Sequence, residues 1–89
     1  MIIGVCQIEL YIPESGSLKK KRQVMKSLKD RIKNKFNVSV AEVDHQNLWQ
    51  RCELGIVLAT NDNQYIDSTF AHIIQMIDSD YRLEIIDHT

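Results

Sequence analysis

Several signals that would fix a function at once are missing from this chain. No apolar run approaches the roughly 20 residues of a membrane span. The opening Met-Ile-Ile leads straight into a strand pattern without a basic stretch or a cleavage site, so no membrane anchor and no signal peptide are expected. The two cysteines, Cys6 and Cys52, sit apart inside apolar stretches and form no Cys-x-x-Cys pair. That usage points to buried free thiols in a reducing compartment, with the cytoplasm as the expected location. The three histidines offer no zinc-ligand spacing: His45 falls in a turn, His72 on the polar side of a helix, and His88 beside the end. No serine has the nucleophile-elbow context, and no Gly-rich phosphate loop occurs. No catalytic residue, metal, cofactor or small-molecule substrate is therefore expected, and the chain reads as a non-enzyme.

What remains is a chain of ordinary composition with no low-complexity segment. Its 89 residues make one domain, 1–89, able to bury about 60–65% of its unfolded surface. That leaves room for one layer of helices on one sheet. Ile2–Ile12 alternates as a strand, with Ile2, Cys6, Ile8, Leu10 and Ile12 on one face and Ile3, Val5, Gln7, Glu9 and Tyr11 on the other. Pro13 ends it, and Ser17 is placed to cap a helix running to about Asn34. Leu18, Met25, Leu28 and Ile32 form the apolar stripe of that helix, with Val24 at its edge and Phe36 continuing it beyond the end. Asn37–Asp44 and Leu48–Thr60 read as two strands joined by a polar turn. Asn61 or Asp62 caps a second helix to about Asp78, with Ile66, Phe70, Ile73, Ile74 and Ile77 inward; Leu83–Asp87 is a short last strand. The order β-α-β-β-α-β with right-handed crossovers predicts the α+β ferredoxin-like split β-α-β fold. It is a four-stranded antiparallel sheet of order 4-1-3-2 with both helices on one face.

The net charge of −1 hides a strong polarisation. Between Leu18 and Phe36 nine Lys/Arg stand against the single acid Asp30, a net of +8; elsewhere Arg51 and Arg82 stand against eleven acids, a net of −9. Lys19, Arg22, Lys26, Lys29 and Lys33 follow 3-4-3-4 spacing and fall within about 80° on the helical wheel, one cationic stripe along a flank. Like charges at this spacing repel, and lysines in a first turn oppose the helix dipole. Local stability does not select such an arrangement, whereas contact with a row of phosphates does. The bland alternative is a solvated helix face. Ser15-Gly16-Ser17 followed by Lys19 and Lys20 offers a further anion seat, although short Ser/Gly loops before helices are common. Lys21 falls inside the apolar stripe, where its stem is expected to pack and its head to snorkel to the rim, pairing with a carboxylate being the other option.

The sheet face left bare by the helices is the second candidate surface. The topology sets Tyr11 beside Trp49 and Arg51, which could stack bases as aromatics do on other sheets of this topology. There is no RNA-recognition signature of the Lys/Arg-Gly-aromatic kind. Ile3, Val5, Val57 and Ala59 share the face, so homodimer packing is the favoured role of this open-sheet interface.

The strings Ser17-Leu18-Lys19-Lys20-Lys21-Arg22, Phe36-Asn37-Val38-Ser39-Val40-Ala41-Glu42-Val43 and Gln46-Asn47-Leu48-Trp49-Gln50-Arg51 closely resemble the YlxP-like family of small bacterial proteins, over nearly the whole chain. The resemblance implies a ferredoxin-like fold and no established activity. It also implies a setting near the ribosome, since genes of the family often stand among those for translation initiation and ribosome maturation. The family pattern often has an acid where Lys20 stands and an Asp where Asn47 stands, so this helix start is the more cationic. Acylphosphatases share the fold and bind phosphate before the first helix, but their Gly-rich arginine loop is missing here. The expected function is an accessory protein of translation or ribosome maturation that contacts RNA or a ribosomal particle through its basic helix. The alternative is a homodimeric interaction module whose basic helix docks an acidic protein.

Overall fold

A computed structural model describes residues 1–89. β1 (Ile2–Tyr11) leads through the Pro13 loop into α1 (Leu18–Lys35), which starts at Ser17, whose hydroxyl accepts the Lys20 N–H at 3.1 Å. β2 (Ser39–Asp44) and β3 (Arg51–Thr60) form a hairpin. α2 (Asn63–Asp78) is capped by Asp62, which accepts the Gln64 N–H at 2.9 Å, and β4 (Glu84–His88) closes the chain. The sheet order is β2-β3-β1-β4 with every neighbouring pair antiparallel, the expected order read from its other edge. The fold is the ferredoxin-like α+β arrangement that the order of elements predicts.

The parity of the strands decides what is inside. Cys6, Ile8 and Leu10 of β1 and Cys52, Leu54 and Ile56 of β3 are buried against Met25, Leu28 and Ile32 of α1 and Ile73 and Ile77 of α2. Both cysteines are free and buried. Gly4 lets α2 approach β1: a Cβ there would stand 2.8 Å from Ile66 Cγ2, inside contact distance.

Two local expectations need correction. The third strand begins at Arg51 rather than Leu48, because its partner runs out. Ile12 N–H still donates to Gln50 O at 2.8 Å, but the chain then turns at Pro13 and Glu14, and Ile12 O accepts the Ser15 N–H of that turn at 3.2 Å instead of continuing the ladder. Leu48 and Trp49 are left outside the sheet, half-exposed. Lys21 does not snorkel. It is 2% exposed, with Nζ 2.9 Å from Glu42 Oε2 and donating a hydrogen bond to the His45 carbonyl. The β2–β3 hairpin covers the stem and supplies the counter-charge from β2. His45 itself is left-handed (φ 64°), a conformation that costs a non-glycine residue about 1–2 kcal/mol. Its carbonyl compensates by accepting the Leu48 N–H as well as the ammonium of Lys21.

A second polar tie holds α1 to the segment before β4. Asp80, with 4% of its side chain exposed, accepts from Arg82 Nε at 3.0 Å, Arg82 Nη2 at 2.8 Å and Arg31 Nη2 at 2.6 Å. Arg82 above all, then Arg31, holds this carboxyl well below the usual carboxylate range, against the opposing effect of burial. Such a group stabilises the fold above its unfolded value of about 4 and loses that contribution as the pH falls toward its folded value. Asp80→Asn is expected to cost about 2 kcal/mol at neutral pH, the worth of charged hydrogen bonds to half-exposed arginines. Denaturant titrations should show wild type and variant converging below about pH 4.

Candidate nucleic-acid interface

The first turn of α1 carries no acid to offset its lysines, and the helix presents its cations in two groups. Lys21 and Arg31 are tied to Glu42 and Asp80, and Lys26 pairs with Asp30 one turn on at 2.9 Å. Lys19, Lys20, Arg22, Lys29, Lys33 and Lys35 have no carboxylate within ion-pair distance. Of the five stripe residues, Lys19, Arg22, Lys26 and Lys33 are exposed and Lys29 is half-buried. From Lys19 to Lys33 the ridge runs about 21 Å at the helical rise. Lys26 contributes the least free charge, because the Asp30 carboxylate pairs with it at 2.9 Å; their hydrogen bond also draws its pKa upward, so the ammonium stays charged.

The loop before α1 spends one of its two hydroxyl protons on itself. Ser15, 2% exposed, donates its Oγ–H to Ser17 O at 3.1 Å, and Ser17 Oγ is occupied by the Lys20 N–H. Of the expected anion seat, the Ser15 hydroxyl is spent, whereas the Ser17 O–H, the Leu18 and Lys19 N–H groups and the ammonium groups of Lys19 and Lys20 remain free to donate.

The register of the sheet divides its bare face into three zones. At one end Ile3 and Val5 lie opposite Ala59 and Val57, with Ile3 59%, Val5 62% and Val57 42% exposed. Across the middle, Asp44, Glu53, Glu9 and Asp87 are successive cross-strand partners, an acidic row spanning all four strands. Beyond it Tyr11 pairs with Arg51, whose Nη2 lies 2.8 Å from Glu9 Oε1. His45 Nε2 reaches the same oxygen at 3.3 Å. Arg51 first, and His45 after it, hold the Glu9 carboxyl below its ordinary value, with partial desolvation opposing them. The five side chains expected to form one open-sheet interface therefore fall in two groups. Val5 and Val57 lie on one side of the acids, and Tyr11, Arg51 and the nearby Trp49 on the other. An RNA backbone laid over the middle of this face would meet carboxylates.

Trp49 instead borders a cleft of about 470 Å³ lined by Ser15, Gly16, Leu48, Trp49, Gln50 and Arg51. Gly16 lies three residues before Lys19, so the cleft opens where the cationic ridge begins. On the other side of Ser15, Lys20 and Tyr81 line a smaller hollow of about 110 Å³. Tyr81, 93% exposed, is the residue that sequence reasoning missed. It lies in a helix-to-strand turn with no periodicity, and its exposure follows from Asp80 turning inward to the arginines.

The remaining chemistry is quiet. Burial first, and the neighbouring Glu42 carboxylate after it, pushes the Cys52 thiol up to about 12, far from a reactive thiolate. No group of three or more His, Cys, Asp or Glu side chains is arranged to hold a metal ion, and no helix is long and apolar enough to cross a membrane.

Comparison with known proteins gives two matches. Residues 3–89 match a family described as "Protein of unknown function (DUF503)". The chain is also 37% identical over 78 residues, 88% of its own length and 85% of the other's, to the "Uncharacterized protein YlxP" of Bacillus subtilis (strain 168).

Proposed function

The chain belongs to the DUF503 family, and from that membership and its charge map we propose that it is a non-enzymatic accessory protein of translation or ribosome maturation, with α1 laid along RNA in a ribonucleoprotein. One observation carries the reading. Six of the nine cations on α1 have no carboxylate partner, and four of those, Lys19, Arg22, Lys29 and Lys33, belong to the single ridge. A backbone of evenly spaced phosphates is the partner such a row fits. The acidic row lies on the sheet face turned away from the helices, so the molecule has one attractive and one repulsive side toward a polyanion. Such a dipole orients the encounter as well as strengthening it. The translation setting rests on the gene company that the YlxP-like resemblance implies, and the cytoplasm is the location it requires. Co-sedimentation with ribosomal particles tests the reading. The protein should travel with the particles at low salt and be released by nuclease; retention after nuclease digestion would assign it a protein partner instead.

A second reading has its own support in the exposed Ile3, Val5, Val57 and Ala59 on adjoining strands, a patch that a second copy would cover symmetrically. In it the protein is a homodimeric module whose basic helix docks an acidic protein. Val57→Glu is then expected to convert dimers to monomers in sedimentation velocity. A wild-type protein that sediments as a monomer, or a variant that stays dimeric, removes this face from the account.

A further inference from the structure

We propose that the cleft between Ser15–Gly16 and Leu48–Arg51 receives one unpaired RNA base, stacked on the indole of Trp49. The inference rests on the RNA reading of α1 and extends it from backbone contact to base contact. Trp49 and Leu48 are 54% and 47% exposed, outside both the core and the sheet. The segment that carries them is nevertheless fixed. Gln50 Nε2 donates to Pro13 O at 3.0 Å, and Gln50 O accepts the Ile12 N–H at 2.8 Å, so the chain is tied to the end of β1 on both sides of the peptide. With its backbone fixed, the exposed indole is offered to a flat ligand with the cost of ordering the chain beneath it already met within the fold. Arg51, its guanidinium oriented by Glu9, adds a second planar group to the same cleft.

Charge selects the occupant. Lys19, three residues after Gly16 at the start of the ridge, has no carboxylate partner, so a ligand that leaves the cleft along the chain toward α1 meets unpaired positive charge. A strand whose phosphates follow the ridge and whose end base turns into the cleft satisfies both. A second copy of the protein does not: a two-fold contact centred here would set Lys19, Lys20 and Arg51 against themselves. The base must be unpaired, because bases inside a duplex have no free face to stack.

Trp49 is the only tryptophan, so its fluorescence reports the cleft directly. The probes are a mixed-sequence single-stranded RNA of about a dozen nucleotides and inorganic polyphosphate of similar charge. Both should bind with salt-sensitive affinity, and only the RNA should quench the indole. Trp49→Ala should bind the RNA about tenfold more weakly and polyphosphate unchanged, with Trp49→Phe recovering most of the loss. RNA binding without quenching and without an effect of Trp49→Ala overturns the cleft and leaves the helix reading intact. Binding of neither polyanion overturns both. A quench that appears with rising protein concentration alone gives the cleft to a second copy and also overturns the proposal.

Discussion

Glu42→Ala is expected to destabilise the protein by about 3 kcal/mol, the low end for breaking a buried ion pair. The low end applies because 20% of the Glu42 side chain still reaches water, whereas Lys21 has only 2%. Removing the carboxylate leaves the ammonium in the core with the His45 carbonyl as its sole acceptor. Glu42 Oε2 accepts no aligned hydrogen bond, so what is lost is the charge contact at 2.9 Å. A domain of this size moves in Tm by about 4–8 °C per kcal/mol, so calorimetry should record a fall of more than about 10 °C. Lys21→Met removes the charge instead of stranding it and is expected to cost less. The double variant Lys21→Met with Glu42→Leu should recover much of the stability lost in Glu42→Ala, since an apolar pair of similar volume often replaces a buried ion pair at little cost. Near-wild-type stability of Glu42→Ala would mean that Lys21 escapes to solvent, contrary to its burial under the hairpin.

Arg22→Glu with Lys29→Glu is expected to weaken binding to structured RNA at least tenfold. It should also make the plot of log affinity against log salt shallower by about two, one for each lost phosphate contact. The loss should be similar across RNA sequences, because phosphate contacts carry no base information. Lys26→Glu alone should do less than Arg22→Glu alone, since Asp30 already occupies the Lys26 ammonium at 2.9 Å. Lys35→Glu makes the same change in net charge away from the ridge, beside the Phe36 ring. If it weakens binding as much as Arg22→Glu does, the attraction belongs to net charge and not to the ridge. Filter binding over a range of salt concentrations measures all of these.

The fold was legible because its signals are local. Alternation in Ile2–Tyr11 and Arg51–Thr60, the Ser17 and Asp62 caps, and the apolar stripes of two helices each lie within one window of sequence. The cationic stripe was legible for the same reason, since 3-4 spacing puts residues on one face whatever the helix packs against. The other features depend on pairings between distant segments. The acidic row exists only once Glu9 is set opposite both Glu53 and Asp87. The Asp80 tie joins residues 49 apart in the chain through Arg31. Lys21 looked like a snorkelling lysine because the carboxylate that meets it comes from another element, and a helical wheel cannot display that. Trp49 looked like a strand residue because the strand pattern continues through it. What excludes it is the turn that begins at Pro13, 36 positions earlier, which carries the end of β1 away before it can pair with Trp49.

The salt dependence of wild-type binding to structured ribosomal RNA tests the central claim most directly. Four or five phosphate contacts along α1 predict a log–log slope of roughly −3 to −4, reduced by about two in Arg22→Glu with Lys29→Glu. A slope near zero, or one that the double variant leaves unchanged, would contradict the assignment of RNA contact to this helix.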